Sequence, residues 1–95
     1  MAVVGYARVS TQDQNLSGQL AALKAAGADT VYREKVSATR ADRPQLAKLM
    51  AGLGAGDVVV VTKLDRLGRS LRSCSTLIDR ISEAGASFRS LGDPL

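Results

Sequence analysis

The chain has 95 residues, enough for one domain with a modest core, and its 45% apolar share excludes a disordered segment. Thirteen Lys and Arg against nine Asp and Glu leave a net charge of +4, a mild basic excess that suits nucleic acid without requiring it. With no histidine and a single cysteine, Cys74, the composition excludes a Ser–His–Asp triad, a His-ligated metal, a cysteine-rich metal site and an intrachain disulfide.

A reducing cytoplasm is therefore the expected setting. The aromatic residues are Tyr6, Tyr32 and Phe88, so the core is expected to be aliphatic. So few rings leave little platform for stacking single-stranded bases. Nine of the cations are Arg, whose planar fork suits phosphate oxygens better than the lysine point charge. No stretch has the length of a membrane span, and the first residues lack the regions of a signal peptide.

The first element is read in Ala2 to Thr11, where Val3, Val4 and Val9 favour an extended strand. It gives way to a helix start: Thr11 with Gln14, and Ser10 with Asp13, both have capping spacing. Ser10 is thus expected where a strand ends and a helix begins, a place that welcomes phosphate. Alternation puts Tyr6, Arg8 and Ser10 on one side of the strand. Leu16, Leu20 and Leu23 predict an amphipathic helix over residues 12–26, stopped by Gly27. Residues 31–34 read as a short second strand, and 35–42 as a polar surface loop. Asp42 and Gln45 have capping spacing, and Pro44 suits a first turn. Leu46, Leu49, Met50 and Leu53 line a second helix ending by Gly54.

Val58 to Val61 is an uninterrupted β-branched run, the mark of a strand covered on both faces. Helical spacing returns from Leu67 through Leu71, Cys74, Ile78 and Ile81, stopping at Gly85. Residues 86–91 read as a fourth strand. The order β-α-β-α-β-α-β predicts a three-layer α/β domain, with a mainly parallel four-stranded sheet, doubly wound in the order 2-1-3-4, and helices on both faces. Strands one and three then lie side by side, and ligands bind at their carboxyl ends. That places Ser10 beside Asp65 and Arg66. Arg66 and Arg69, three apart, share a helix face that points away from the apolar stripe. With Arg8, three arginines converge on Ser10.

Each of these residues has a plainer role to offer. Ser10 can be only an N-cap, Asp65 a salt-bridge partner or cap, Arg66, Arg69 and Arg72 a solvated helix face, Cys74 and both tyrosines core packing. Arg8 is the hardest to dismiss, because a charge inside an apolar strand needs a partner or a ligand. Nucleotide sites are disfavoured, since neither G-x-G-x-x-G nor a P-loop is present. A flavodoxin-like or receiver-type module fits the fold alone, but a receiver wants acidic groups where this chain has Arg8.

Tyr6-Ala-Arg-Val-Ser10, then Asp42-Arg43, then Lys63-Leu-Asp-Arg-Leu-Gly-Arg69, in this order and spacing, closely resemble the catalytic domain of the serine recombinases, the resolvases and DNA invertases. The resemblance covers essentially residues 1–95. It implies a resolvase-like fold and a site-specific recombinase acting on double-stranded DNA, as in transposon resolution, inversion and integration. Ser10 is then the nucleophile, forming a 5′-phosphoserine link and releasing a 3′-hydroxyl. Arg8, Arg66 and Arg69 bind the scissile phosphate and stabilise the transition state. Asp65 organises the arginines or takes part in proton transfer. Tyr6, Gln19, Ser37 and Arg43 match supporting or DNA-proximal positions. Neither metal, nucleotide nor other cofactor is expected. Solvent, Asp65 or an arginine is left as acceptor of the Ser10 proton.

The family's chains continue into a long helix used for dimer and tetramer assembly and, in resolvases and invertases, a helix-turn-helix domain. The expectation is that these residues are a piece of a longer protein, inactive in recombination by themselves. The second hypothesis is a non-catalytic, phosphate- or nucleic-acid-binding regulatory module of the same fold.

Overall fold

The computed structural model describes residues 2–9, 16–35, 43–63 and 71–92. Four strands, β1 (Val3–Val9), β2 (Thr30–Lys35), β3 (Val58–Val61) and β4 (Ser87–Ser90), form one sheet in the order β2-β1-β3-β4, and every neighbouring pair is parallel. Among the described residues three helices alternate with them: α1 (Leu16–Ala25), α2 (Pro44–Ala51) and α3 (Leu71–Glu83). The predicted strand order is the observed one.

The order also fixes the layers. Crossovers between parallel strands are right-handed, so a chain that steps from β1 to β2 in one direction, then back past β1 to β3, must place α1 and α2 on opposite faces. The packing agrees. Ala7 and Val60 pack with Leu23 of α1 on one face. Tyr6, Val59 and Val61 pack with Leu46 and Leu49 of α2 and Ile81 of α3 on the other. Successive β3 residues therefore enter opposite layers, which is why that strand has no polar side. The core is mostly aliphatic as expected, but Tyr6 lies in the middle of it with no exposed surface.

Boundaries shift for identifiable reasons. β2 is one residue longer at each end than the apolar pattern suggests, because pairing with β1 carries on through Val4↔Thr30 and Val9↔Lys35. Helix α2 stops at Ala51 with Gly52 as its cap, short of Gly54, although Leu53 still packs on the core. Gly27 and Gly85 follow α1 and α3 with φ of 93° and 83°, the left-handed conformation that ends a helix most easily in glycine. The predicted caps at Ser10 and Thr11, the first turn expected for α1, the stretch from Leu67 to Ser70, and residues 36–42 of the expected loop lie outside the described residues. Two carboxylates tie the amino end of β1: Asp29 accepts from Val3 N–H at 3.2 Å, and Asp57 from Ala2 N–H at 3.0 Å. Asp57 also accepts from Gly54 N–H at 2.9 Å, and these backbone bonds hold its carboxyl below the ordinary value.

Candidate nucleic-acid interface

At the opposite, carboxyl end of β1 the strand carries polar residues into the interior. Alternation puts Arg8 on the side of Tyr6, facing the α2–α3 layer. Its residue is only 6% exposed, in a strand whose other members from Gly5 to Val9 are all buried. Cross-strand from Arg8, in register, stands Glu34 of β2. A guanidinium and a carboxylate thus occupy adjacent strands on one face.

The backbone at Arg8 is held by α1. Ala2 bonds toward β3, its carbonyl accepting from Val58 N–H at 2.8 Å, and even-numbered residues of β1 share that direction. The β3 register ends at Gly5↔Val60, so Arg8 lies beyond it. The side-chain amide of Gln19 takes the place of the missing strand. Gln19 Nε2 donates to the Arg8 carbonyl at 3.0 Å, and Arg8 N–H donates to Gln19 Oε1 at 3.2 Å. Both main-chain groups of a buried residue are thereby satisfied.

Glu34, 5% exposed, is not singled out by the sequence pattern. Its carboxylate accepts from Tyr6 Oη at 3.0 Å, from Gln45 N–H at 3.0 Å and from Leu46 N–H at 3.1 Å. The predicted cap for α2, Asp42, lies outside the described residues, and the helix's N-cap position is filled by Arg43, which makes no side-chain cap bond. The cap is supplied by β2 instead. Tyr6 responds to these neighbours: burial above all, then the Glu34 charge, pushes its ionisation far up, while Arg43 pulls it down. Tyr6, Arg8, Glu34 and Arg43 therefore meet where β1, β2 and α2 come together.

A family model, described as the N-terminal domain of resolvases, matches residues 3–94. The chain belongs to the resolvase family. It is 46% identical over 93 residues to the serine recombinase gin of Escherichia phage Mu, covering 98% of this chain and 48% of that one. It is 44% identical over 95 residues to the DNA-invertase hin of Salmonella typhimurium, covering all of this chain and 50% of that one. Among solved structures it resembles the N-terminal catalytic domain of TP901-1 integrase, with a TM-score of 0.80 and 32% identity over 94% of this chain and 75% of that one. The chain spans about half the length of the curated relatives it matches.

Within this resolvase-family domain, four of the predicted site residues are described. Tyr6, Arg8 and Gln19 are buried, and Arg43 is partly exposed at the start of α2. Ser10, Ser37, Asp65, Arg66 and Arg69 lie outside the described residues. The described chain on either side bears on them in one respect: β1 and β3 are parallel neighbours. The chain therefore leaves both strands at the same sheet edge. Arg72 is exposed, Cys74 is buried, Ile81 is at the core and Ile78 packs against it, so the stripe follows its spacing from Cys74 to Ile81, whereas Leu67 lies outside the described residues. No helix among the described residues is long and apolar enough to cross a membrane.

Proposed function

We propose that residues 1–95 are the catalytic half of a site-specific DNA recombinase of the serine type, working in the cytoplasm on double-stranded DNA. One observation carries this reading. A buried arginine, Arg8, stands at the carboxyl end of β1, two residues before a serine, in a chain of the resolvase family. Gln19 fixes the Arg8 main chain, and a cation on a fixed backbone can stabilise an anion with little reorganisation.

In the proposed reaction Ser10 Oγ attacks a phosphodiester. The Oγ–P bond forms, the P–O3′ bond breaks, and the leaving oxygen takes up a proton as a 3′-hydroxyl. The phosphoserine conserves the ester, so rejoining is the same step reversed, with a 3′-hydroxyl from the exchanged strand as nucleophile. Phosphoryl transfer depends mainly on positioning and on neutralising the equatorial oxygens. Arg8, Arg66 and Arg69 supply that charge, with Asp65 as organiser or proton acceptor and Tyr6, Gln19, Ser37 and Arg43 in support. Removing one preorganised donor from such a site costs about 3–4 kcal/mol. Assembly into dimers and tetramers and recognition of a particular sequence are not assigned to these residues, which span about half the length of the curated relatives. The 95 residues by themselves are expected not to complete recombination.

The test grafts residues 1–95 onto the remaining half of the phage Mu recombinase and supplies that recombinase's own site DNA. Reactions are stopped with denaturant, and covalent protein–DNA adducts are counted. The expected result is an adduct at the 5′ end of the cut that disappears in Ser10→Ala. A folded chimera that forms none, or an adduct that survives Ser10→Ala, overturns the reading.

A further inference from the structure

We propose that Gly5 is a positioning residue: its missing side chain sets the depth at which α1 sits on β1, and through Gln19 the placement of the Arg8 main chain. The inference rests on the preceding reading that Arg8 serves the DNA site.

A glycine in the middle of a strand needs a reason, since it has nothing to pack and loses more freedom on folding than any other residue. Gly5 is buried in β1, in register with Val31 of β2 on one side and Val60 of β3 on the other. Its conformation does not call for glycine: among the described glycines, Gly27, Gly56 and Gly85 have positive φ and Gly5 does not. Space does. A Cβ at Gly5 would lie 3.2 Å from Leu23 Cδ1, 3.3 Å from Val31 Cγ2 and 3.4 Å from Ala28 Cβ. The first two approaches are closer than side-chain carbons ordinarily tolerate, so a neighbour would have to give by a few tenths of an ångström.

The sheet is the stiff side of this contact. Val31 is fixed by the pairing of β2 with β1. Leu23 has no exposed surface and packs with Ala7 and Val60, so its side chain has no open space to swing into. The displacement therefore falls on α1 as a whole. Its consequence lies one turn away. Gln19 and Leu23 are four residues apart, on one face of α1, and both are buried. Leu23 rests on Gly5, and Gln19 reaches the Arg8 main chain with bonds of 3.0 and 3.2 Å. Those lengths already stand at the long end of the range for such bonds. A helix lifted by a few tenths of an ångström leaves Gln19 short of both groups. Arg8 lies beyond the β3 register and has no strand there to replace it.

The experiment uses the chimera and site DNA of the previous test. Adduct formation is measured in single turnovers at saturating DNA, and amide exchange is followed at Arg8 and at Val59 and Val60 of β3. Gly5→Ala is expected to slow adduct formation about five- to tenfold, since small misplacements of a charged group weaken transition-state stabilisation. Exchange at Arg8 should quicken by a larger factor than at the β3 amides, which report global opening. Adding Leu23→Val withdraws the carbon that the new methyl meets. G5A/L23V is expected to return both readouts to within about twofold of L23V alone. G5A/Q19A is expected to react within about twofold of Q19A, because a residue that acts through Gln19 has nothing left to set. A parent-like rate or a parent-like Arg8 amide in G5A overturns the proposal, as do losses that multiply in either double variant. If G5A does not fold, G5A/L23V is read against L23V, and a rate more than about twofold lower overturns the proposal. Ser10→Ala is run alongside. Loss of its adduct together with a parent-like G5A rejects Gly5 alone, whereas a surviving adduct rejects the reading beneath it.

Discussion

Tyr6 shows how one side chain joins the core to the site. Its ring is fully buried among Leu46, Leu49 and Ile81, and its hydroxyl ends on Glu34. Burial raises its ionisation above the ordinary 10.0, so the native state keeps a proton that the unfolded chain releases. A group of this kind contributes stability that is present below its unfolded pKa and is lost as pH rises beyond it. The domain is therefore expected to weaken steadily above about pH 10. Tyr6→Phe removes a hydrogen bond worth about 1 kcal/mol at neutral pH, and removes this alkaline loss as well. The gap between parent and variant should close as pH rises from about 8 to 11, measured by urea unfolding. Equal alkaline slopes in the two would show that Tyr6 is not the group responsible.

Between elements, the telling contact is a helix side chain acting as a strand. Gln19 occupies the i+3 position of the stripe that begins at Leu16, with Leu20 and Leu23 at i+4 and i+7. A glutamine there should be a fault in the pattern, and the burial of its side chain is explained by the two bonds to Arg8. Gln19→Leu matches the stripe better and still should destabilise the domain by about 2–4 kcal/mol, because it strands a buried N–H and a buried C=O. Amide exchange at Arg8 should quicken together with the loss of stability, measured by hydrogen exchange and denaturant unfolding. An unchanged Arg8 amide would mean that β1 needs no support beyond its pairing with β2. Periodicity made the strands and helices readable because apolar burial repeats at 2 or 3.6 residues. It was blind to Glu34, since a carboxylate in an edge strand looks the same whether it meets water or a helix start. The signal available was weak: Glu34 shares the parity of Tyr32 and of Arg8, its register partner, and α2 starts with proline but has no conventional cap at Arg43. The resemblance supplied Gln19 and Arg43 as supporting positions without saying what they hold.

Across the described residues, the sheet separates two buried clusters, one on each face. Leu23 lies in the α1 layer and Ile81 in the α2–α3 layer, with β1 and β3 between them. Strand order was legible because alternation of β and α leaves few right-handed windings, and a β3 without a polar side must be central. The site was legible only as a sheet edge, since its residues come from both layers: Gln19 from one, Tyr6, Glu34 and Arg43 from the other. If the sheet is rigid, damage to one core should not weaken the other. Leu23→Ala is expected to cost about 2–5 kcal/mol and Ile81→Val about 0.5–1.5 kcal/mol. Their sum should describe the double variant within about 0.5 kcal/mol, in a single transition with an unchanged denaturant slope. A larger shortfall or excess would mean that strain passes through the valines of β3. A variant in one layer would then disturb Arg8 from the far side, and the polar cluster could not be treated as anchored independently by Gln19 and by Glu34.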